Sequence, residues 1–298
     1  MHQLPLVSVA IITYNQKVFL KEAIESVLQQ DYEPLEIVIG DDCSRDGTQE
    51  MLKEYERKMP GKFVLRLSEK NGGNTANSNA VHFACSGKYM AWLGGDDLML
   101  PGKIRKQVAF MENNPDHNIV YHNLDVFESA TGKHLYFFNN AKTAYTGAVG
   151  VLIKHGTFNG ACATMVRRNA APGYGFDSKL LIASDWLYWV DHLAKGGNIG
   201  YINEVLGRYR RHGENVTSFG SPLAIQGVND WIDTCTILCQ RFPQYKKHIH
   251  KRLSLILRGA RRIEYSPYLK KSLKYYFFNI PSWVMLLVYL ISFKKIKL

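Results

Sequence analysis

The sequence predicts an α/β fold: a mostly parallel sheet with flanking helices, followed by a helical C-terminal tail. Three observations lead there. From Val7 to Leu93, short apolar runs alternate with amphipathic stretches, and the connections are too short for anything but crossovers. One run, Tyr89–Leu93, is uncharged and ends in Gly94-Gly95-Asp96-Asp97. Glycines and carboxylates at a strand's carboxyl end mark where open α/β sheets gather their ligands. The basic excess is confined to one end: from Arg241 onward, 14 Lys or Arg stand against the single acid Glu264, while the preceding 240 residues hold 23 basic and 25 acidic groups.

Val7–Thr13 is apolar nearly throughout, as a buried parallel strand should be. Asn15 can cap the next element, where Leu20, Ala23, Ile24, Val27 and Leu28 recur at helical spacing. Glu36–Gly40 is a second strand, running into Asp41-Asp42. Asp46-Gly47 turns the chain, and a helix follows from Thr48 to about Lys58. Phe63–Leu67 is a third strand, then the loop Asn71-Gly72-Gly73 and a helix from about Thr75 to Cys85. Tyr89–Leu93 is the fourth strand. After Pro101 a helix runs to about Asn114, with Ile104, Val108 and Met111 inward. Asn118–Phe127 and His134–Phe138 form an expected antiparallel hairpin around Thr131-Gly132. Ala161–Val166 is expected as a short strand, Gly173–Asp177 as a loop, Asp185 as the start of a helix, and Val205–Arg210 as a strand. From Pro222 onward the pattern is helical.

A chain of 298 residues, 46% hydrophobic and 21% charged, is globular. Five cysteines without a Cys-x-x-Cys pair argue against a disulfide scaffold or a cysteine metal site and fit a reducing compartment. Cys235 and Cys239, four apart, read as core. No secretory leader is apparent, so a cytoplasmic location is expected. Thr13-Tyr14, Asp41-Asp42 and Asp96-Asp97 all fall at strand carboxyl ends. Three polar clusters on one edge point to a site and not to independent turns.

These residues resemble a family 2 glycosyltransferase of the GT-A (Rossmann-like) type, from roughly Leu6 to Ser218. The resemblance rests on Thr13-Tyr14-Asn15, Asp41-Asp42 with Ser44 and Asp46-Gly47-Thr48, Asn71-Gly72-Gly73, Gly95-Asp96-Asp97, Gly175-Phe176-Asp177, Ser184-Asp185, and Tyr209-Arg210-Arg211-His212 with Asn215 and Thr217. Each piece alone is weak; in this order the set is specific. It implies a nucleotide-sugar site in which Thr13, Tyr14, Asn15, Asp42, Asn71, Asp96 and Arg210 hold the donor. Tyr14 can lie against a pyrimidine and the Thr13 backbone meet the base edge, with an edge tyrosine as the alternative. Asp42 would accept from a base N–H, and Asp41 support the loop. Asn71–Asn74 would offer amides near the sugar or diphosphate. By the same analogy Asp96 faces the ribose, while Asp97 and His212 hold Mn²⁺ or Mg²⁺, an imidazole favouring Mn²⁺. Arg210 or Arg211 would pair with the diphosphate. The arginine usual before the later asparagine is absent, and Asn77-Ser78-Asn79 stands there.

Asp185 is the candidate general base. It lies between Leu180–Ala183 and Trp186–Trp189, and desolvation should raise its pKa toward the working range. The alternative is a helix N-cap, with Ser184 competing for that position. Asp177 and Asp191 are weaker candidates.

Between Lys274 and Lys294 lie 19 residues without formal charge, interrupted by Asn279, Pro281 and Ser282. A helix lying in an anionic membrane surface fits this better than a full crossing, and a helix packed on the body or in a dimer is the other option. No nucleic-acid recognition motif accompanies the charge. The expected division is a transferase domain over residues 1–220 and a basic helical region over 221–298. The expected activity is inverting transfer from a nucleotide sugar, UDP favoured, to a glycan or lipid-linked saccharide at the inner face of a membrane. A nucleotidyltransferase on a similar sheet and a non-catalytic membrane-bound glycan-binding protein are the rival readings. Thr13-Tyr14-Asn15-Gln16 is not the glycine-rich basic loop the first requires, and the intact acidic set argues against the second.

Overall fold

A computed structural model describes residues 3–213, 223–292 and 294–297. Asn215, Thr217 and Pro222 lie outside the described residues. Nine strands form one mixed sheet, in the order β3-β2-β1-β4-β8-β6-β9-β5 with β7 added on β6. The strands are β1 (Val7–Thr13), β2 (Leu35–Asp41), β3 (Phe63–Leu67), β4 (Tyr89–Gly94), β5 (Leu98–Met99), β6 (His117–Glu128), β7 (His134–Phe137), β8 (Met165–Arg167) and β9 (Asn198–Arg211). Six α-helices accompany them: α1 (Lys17–Leu28), α2 (Thr48–Lys58), α3 (Asn74–Ala84), α4 (Lys103–Asn113), α5 (Val149–His155) and α6 (Asp185–Leu193).

β1 pairs in parallel with both β2 and β4, and β2 with β3. Val7–Ile11 are buried without exception, so both faces of β1 are covered, as the unbroken apolar run requires. α3 packs across β1 and β2. The second half of the sheet is mixed. β8 runs antiparallel to β4 and β6, which returns β6 and its parallel partner β9 to the direction of β4. The carboxyl ends of β1, β2, β4 and β9 therefore share one edge. β5 pairs antiparallel with β9 directly after Asp97, which draws the end of β9 against the Asp96-Asp97 turn.

Three elements differ from the sequence expectation. Ala161–Ala163 is a 3-10 turn and the strand begins at Met165, because Thr164 turns its hydroxyl back to the Gly160 carbonyl at 2.7 Å. β9 starts seven residues before Val205, and its register against β6 shifts between its two halves, Ile202 pairing with His122 and Val205 with Asn123. α5 was not foreseen.

Beyond the sheet stand α7 (Ala224–Arg241), α8 (Lys246–Gly259), α9 (Tyr265–Tyr275) and α10 (Ile280–Ile291). Val228, Cys235, Leu238, Leu253 and Leu257 of α7 and α8 belong to the main core, so these helices are continuous with the sheet body. α9 and α10 form a second, small cluster through Tyr265, Leu269, Leu273 and Leu286. The interruptions at Asn279 and Ser282 have a packing cause. Both are buried with Ser254 and Ser272, and the Asn279 amide donates to the Ser254 and Ser272 hydroxyls at 2.8 and 3.1 Å. Satisfied in this way, the four polar side chains bind α8, α9 and α10 together. Among the described residues no helix is long and apolar enough to cross a membrane.

Candidate active site

The site is assembled at the shared carboxyl edge. Gly95 lets β4 close on β1: a Cβ there would stand 2.8 Å from Thr13 Oγ1 and 3.0 Å from the Ile12 carbonyl. Its N–H donates to that carbonyl at 2.9 Å. Thr13 is buried, and its carbonyl accepts from the Asp42 N–H at 3.1 Å and the Asn77 amide at 3.2 Å. Tyr14, the next residue, is 47% exposed, so its ring is open to a ligand. Asn15 adopts a left-handed φ of 52°, which asparagine tolerates. It joins the two loops: its N–H donates to Ser44 Oγ at 2.7 Å and its side-chain oxygen accepts from the Arg45 N–H at 2.8 Å.

The acidic pair after β2 divides its labour. Asp41 is fully buried and accepts from the Ser44 N–H and the Gln49 amide at 2.9 and 2.8 Å, the loop-supporting role expected of it. Asp42 takes one N–H on each carboxylate oxygen, Gly72 at 2.7 Å and Gly73 at 2.8 Å. The amides of Gly72 and Gly73 therefore face Asp42, and the expectation that these two meet a phosphate is corrected. Each Asp42 oxygen keeps a second lone pair for a ligand donor. Asn71 is exposed at the rim.

Asp96 and Asp97 fold back over Gly94. Asp97 is 4% exposed, and its carboxylate accepts the Arg210 N–H at 2.9 Å. Burial, and then the charge of Asp96, push its carboxyl well above the usual carboxylate range. Lys103 is buried nearby, with its ammonium on the Cys162 carbonyl at 2.6 Å; burial lowers its pKa to about 8. His212 Nε2 lies 2.9 Å from Asp96 Oδ2, and its ring packs on Phe19. Two carboxylates and an imidazole at one edge are suitable donors for a divalent cation, and a cation would relieve the crowding of the acids. Among the described residues no group of three or more His, Cys, Asp or Glu side chains is arranged to hold a metal ion. The set therefore fits an ion that takes most of its ligands from phosphate oxygens and water.

Arg210 has a different placement from the one expected. It is 4% exposed, and its guanidinium binds Glu22 and, at 2.7 Å, the Asp96 carbonyl. It also lies over Phe19 and Phe127. Successive strand residues point to opposite faces, so Arg211 turns the other way, toward Tyr209 and within electrostatic reach of Asp97. The diphosphate role expected of Arg210 is therefore corrected, its guanidinium being taken by Glu22 and the Asp96 carbonyl.

Asp185 opens α6, and burial raises the pKa of its carboxyl to about 6. Its Oδ1 accepts the N–H of Trp186 at 2.9 Å. Ser184 does not cap the helix through its side chain; its hydroxyl meets Thr75 Oγ1 at 2.8 Å. Thr75 stands two residues beyond Gly73, so the loop held by Asp42 and the segment leading into Asp185 are in direct contact. Phe176 stacks on Tyr188 with ring centroids 3.8 Å apart, and both pack edgewise on Trp92 of β4, which fixes α6 to the sheet. Asp191 is bonded to Tyr174 and Arg241 and is unavailable as a base.

Sequence reasoning missed the support given by three residues. Asn77 bridges the Thr13 and Gly40 carbonyls, and Asn79 holds the backbone N–H and carbonyl of Phe176 at 2.7 and 2.9 Å. Asp230 holds the segment before Asp185. The available signal was polar residues standing where an amphipathic helix should be apolar. A cavity of about 530 Å³, lined by residues such as Asn118, Tyr174, Lys195 and Arg241, lies toward the start of β6, away from this edge. The converging carboxylates, and not cavity size, identify the site.

The family model described as glycosyl transferase family 2 matches residues 8–174. An uncharacterized glycosyltransferase of Methanocaldococcus jannaschii is 31% identical over 209 residues, covering 69% of this chain and 71% of that protein. The TuaG protein of Bacillus subtilis, provisionally named for teichuronic acid biosynthesis, is 29% identical over 72% of this chain and 82% of its own. Mycobacterial proteins 30% identical to the chain are matched over 60% of their length. In fold, the chain is similar to S. aureus TarS 1-349 in complex with UDP-GlcNAc (TM-score 0.69, 16% identity, 93% of this chain and 78% of that one). It is also similar to the mannosyltransferase PcManGT of Pyrobaculum calidifontis in complex with GDP-Man and Mn²⁺ (TM-score 0.61, 16% identity, 98% and 86%). With the mixed sheet, its acidic edge and the family match together, the chain belongs to glycosyl transferase family 2 and is a glycosyltransferase of GT-A fold.

Proposed function

We propose that the protein transfers a sugar from a nucleotide-sugar donor, with UDP favoured, to a hydroxyl of a glycan or lipid-linked saccharide, with inversion at the anomeric carbon. The observation that carries this is the direct contact between the donor-side loop and the base segment: Asp42 holds Gly72 and Gly73, and Thr75 bonds to Ser184 beside Asp185. Tyr14 and Asp42 receive the base, Asp96 the ribose, and Arg211 the diphosphate. A divalent cation held by Asp97 and His212 would supply charge to offset that developing on the leaving diphosphate. Asp185 takes the proton of the acceptor hydroxyl as its oxygen bonds to the anomeric carbon. The bond from that carbon to the diphosphate oxygen breaks on the opposite side, and its electrons leave with the nucleoside diphosphate. A carboxyl with a pKa of about 6 is ionised at neutral pH yet basic enough to assist.

The similarity to TuaG supports an acceptor in surface polysaccharide synthesis, and the last helices support a location on the inner, anionic membrane surface. Phe277, Phe278, Ile280, Leu287 and Ile291 are each more than half exposed, with Lys294, Lys295 and Lys297 beyond them. The test incubates the protein with a panel of nucleotide sugars and Mn²⁺. Free nucleoside diphosphate is expected. Pyrophosphate released from a nucleoside triphosphate and a sugar 1-phosphate, supplied in a parallel assay, indicates a nucleotidyltransferase, and no release of either points to a glycan-binding protein.

A further inference from the structure

We infer that Asp230 is a positioning residue for Asp185, and that α7 is a working part of the catalytic unit and not an appendage to it. The inference rests on Asp185 being the base.

The segment 180–184 has no regular structure, yet it must aim a carboxyl at the acceptor. Two neighbours hold it. On the donor side, Asn74 donates its amide to the Ile182 carbonyl at 3.0 Å, and the Thr75 hydroxyl bonds to the Leu180 carbonyl. From the other side, Asp230 of α7 accepts the N–H groups of Ile182 at 2.6 Å and Ala183 at 2.9 Å on one oxygen, Oδ2. Its second oxygen accepts the Gln226 amide at 2.7 Å. The Asp230 side chain is fully buried. A buried carboxylate with both oxygens occupied by short, charge-assisted bonds is a rigid support.

α7 makes a second grip, this time on α6 itself. Arg241 at its end pairs with Asp191, six residues beyond Asp185. The two grips lie 11 residues apart along α7, about 16 Å at helical rise. They fix the approach to Asp185 at one end and the axis of α6 at the other. Both are long-range bonds onto one helix, which makes α7 a splint for the base. Displacing a catalytic group by about 1 Å lowers turnover by around two orders of magnitude.

The test compares wild type with Asp230→Asn and with Gln226→Ala, which removes only the bond that orients the carboxylate. Expected is a fall in kcat of at least tenfold for Asp230→Asn, with donor KM unchanged and the half-point of the acid limb displaced from the wild-type value. A smaller fall in the same direction is expected for Gln226→Ala. Hydrogen exchange at the Ile182 and Ala183 amides should quicken in both variants. Variants that are folded by circular dichroism and keep wild-type kcat and acid limb overturn the inference, even if their melting temperature falls. If Asp230→Asn does not fold, Gln226→Ala decides by the same readouts. Should Asp185→Asn turn over normally, the assignment of the base falls; faster exchange at 182 and 183 would then still report the brace without a catalytic role.

Discussion

Replacing Asp185 with asparagine should slow the enzyme and stabilise it at once. Burial holds this carboxyl at a pKa of about 6, against an ordinary 3.8. Asparagine keeps the shape and can still accept the Trp186 N–H. Below about pH 4 folded and unfolded chains both hold the proton, and variant and wild type are equally stable. Between about pH 4 and 6 the unfolded chain releases its proton and the folded chain does not, so the wild type loses stability as pH rises. Above about pH 6 both are ionised and the difference is constant. A shift of about two units amounts to roughly 3 kcal/mol in favour of the variant at neutral pH. For a chain of this size that is a rise in Tm of about 5 °C. Turnover should fall by about 10²–10⁴-fold with donor affinity retained, and wild-type turnover should rise with pH through about 6. Thermal melts of both proteins between pH 4 and 8, with turnover from released nucleotide, check all of this. Melting curves that coincide at every pH would refute the claim that burial strains this carboxyl. Normal turnover in the variant would remove it from the reaction.

Asp97→Ala should abolish Mn²⁺-dependent donor binding, read by calorimetry with and without the metal, while leaving the fold intact. Arg211→Ala should weaken donor binding by about 10–100-fold at unchanged Tm, the loss of a charge-assisted bond to phosphate. Arg210→Ala should instead lower stability by about 2 kcal/mol through lost packing on Phe19 and Phe127, which thermal melts will read. For the tail, Leu287→Glu with Ile291→Glu should reduce binding to anionic vesicles by about 100-fold or more in flotation assays. Truncation before Ser282 is a poorer test, because it removes a buried hydroxyl 3.0 Å from that of Ser272.

The first half of the fold was legible because a strand covered on both faces must be mostly apolar, and β1, β2 and β4 are, with Ser8, Thr13, Glu36 and Asp41 as the exceptions. β9 was half hidden: Asn203 and Glu204 interrupt its apolar pattern, so only Val205–Arg210 was read as a strand. The same limit explains the site. Thr13, Asp42, Asp96, Asp97 and His212 follow strand ends, so their convergence is a consequence of parallel order and is visible in one dimension. What the carboxylates bind is not. Asp42 and Asp41 are neighbours in sequence and look alike, yet one holds the Gly72-Gly73 amides and the other the Ser44 loop. Arg210 and Arg211 are equally similar on paper, and strand alternation alone sends one onto Phe19 and the other onto Tyr209. Asp230 was invisible for a further reason. It sits on a helix whose position suggested a tail, and its partners are backbone N–H groups, which no sequence distinguishes. Stretches that read cleanly are those whose role is fixed by periodicity, whereas supporting groups are fixed by contacts far along the chain. The acidic residues of the candidate site were therefore easier to find than the residues that hold its loops.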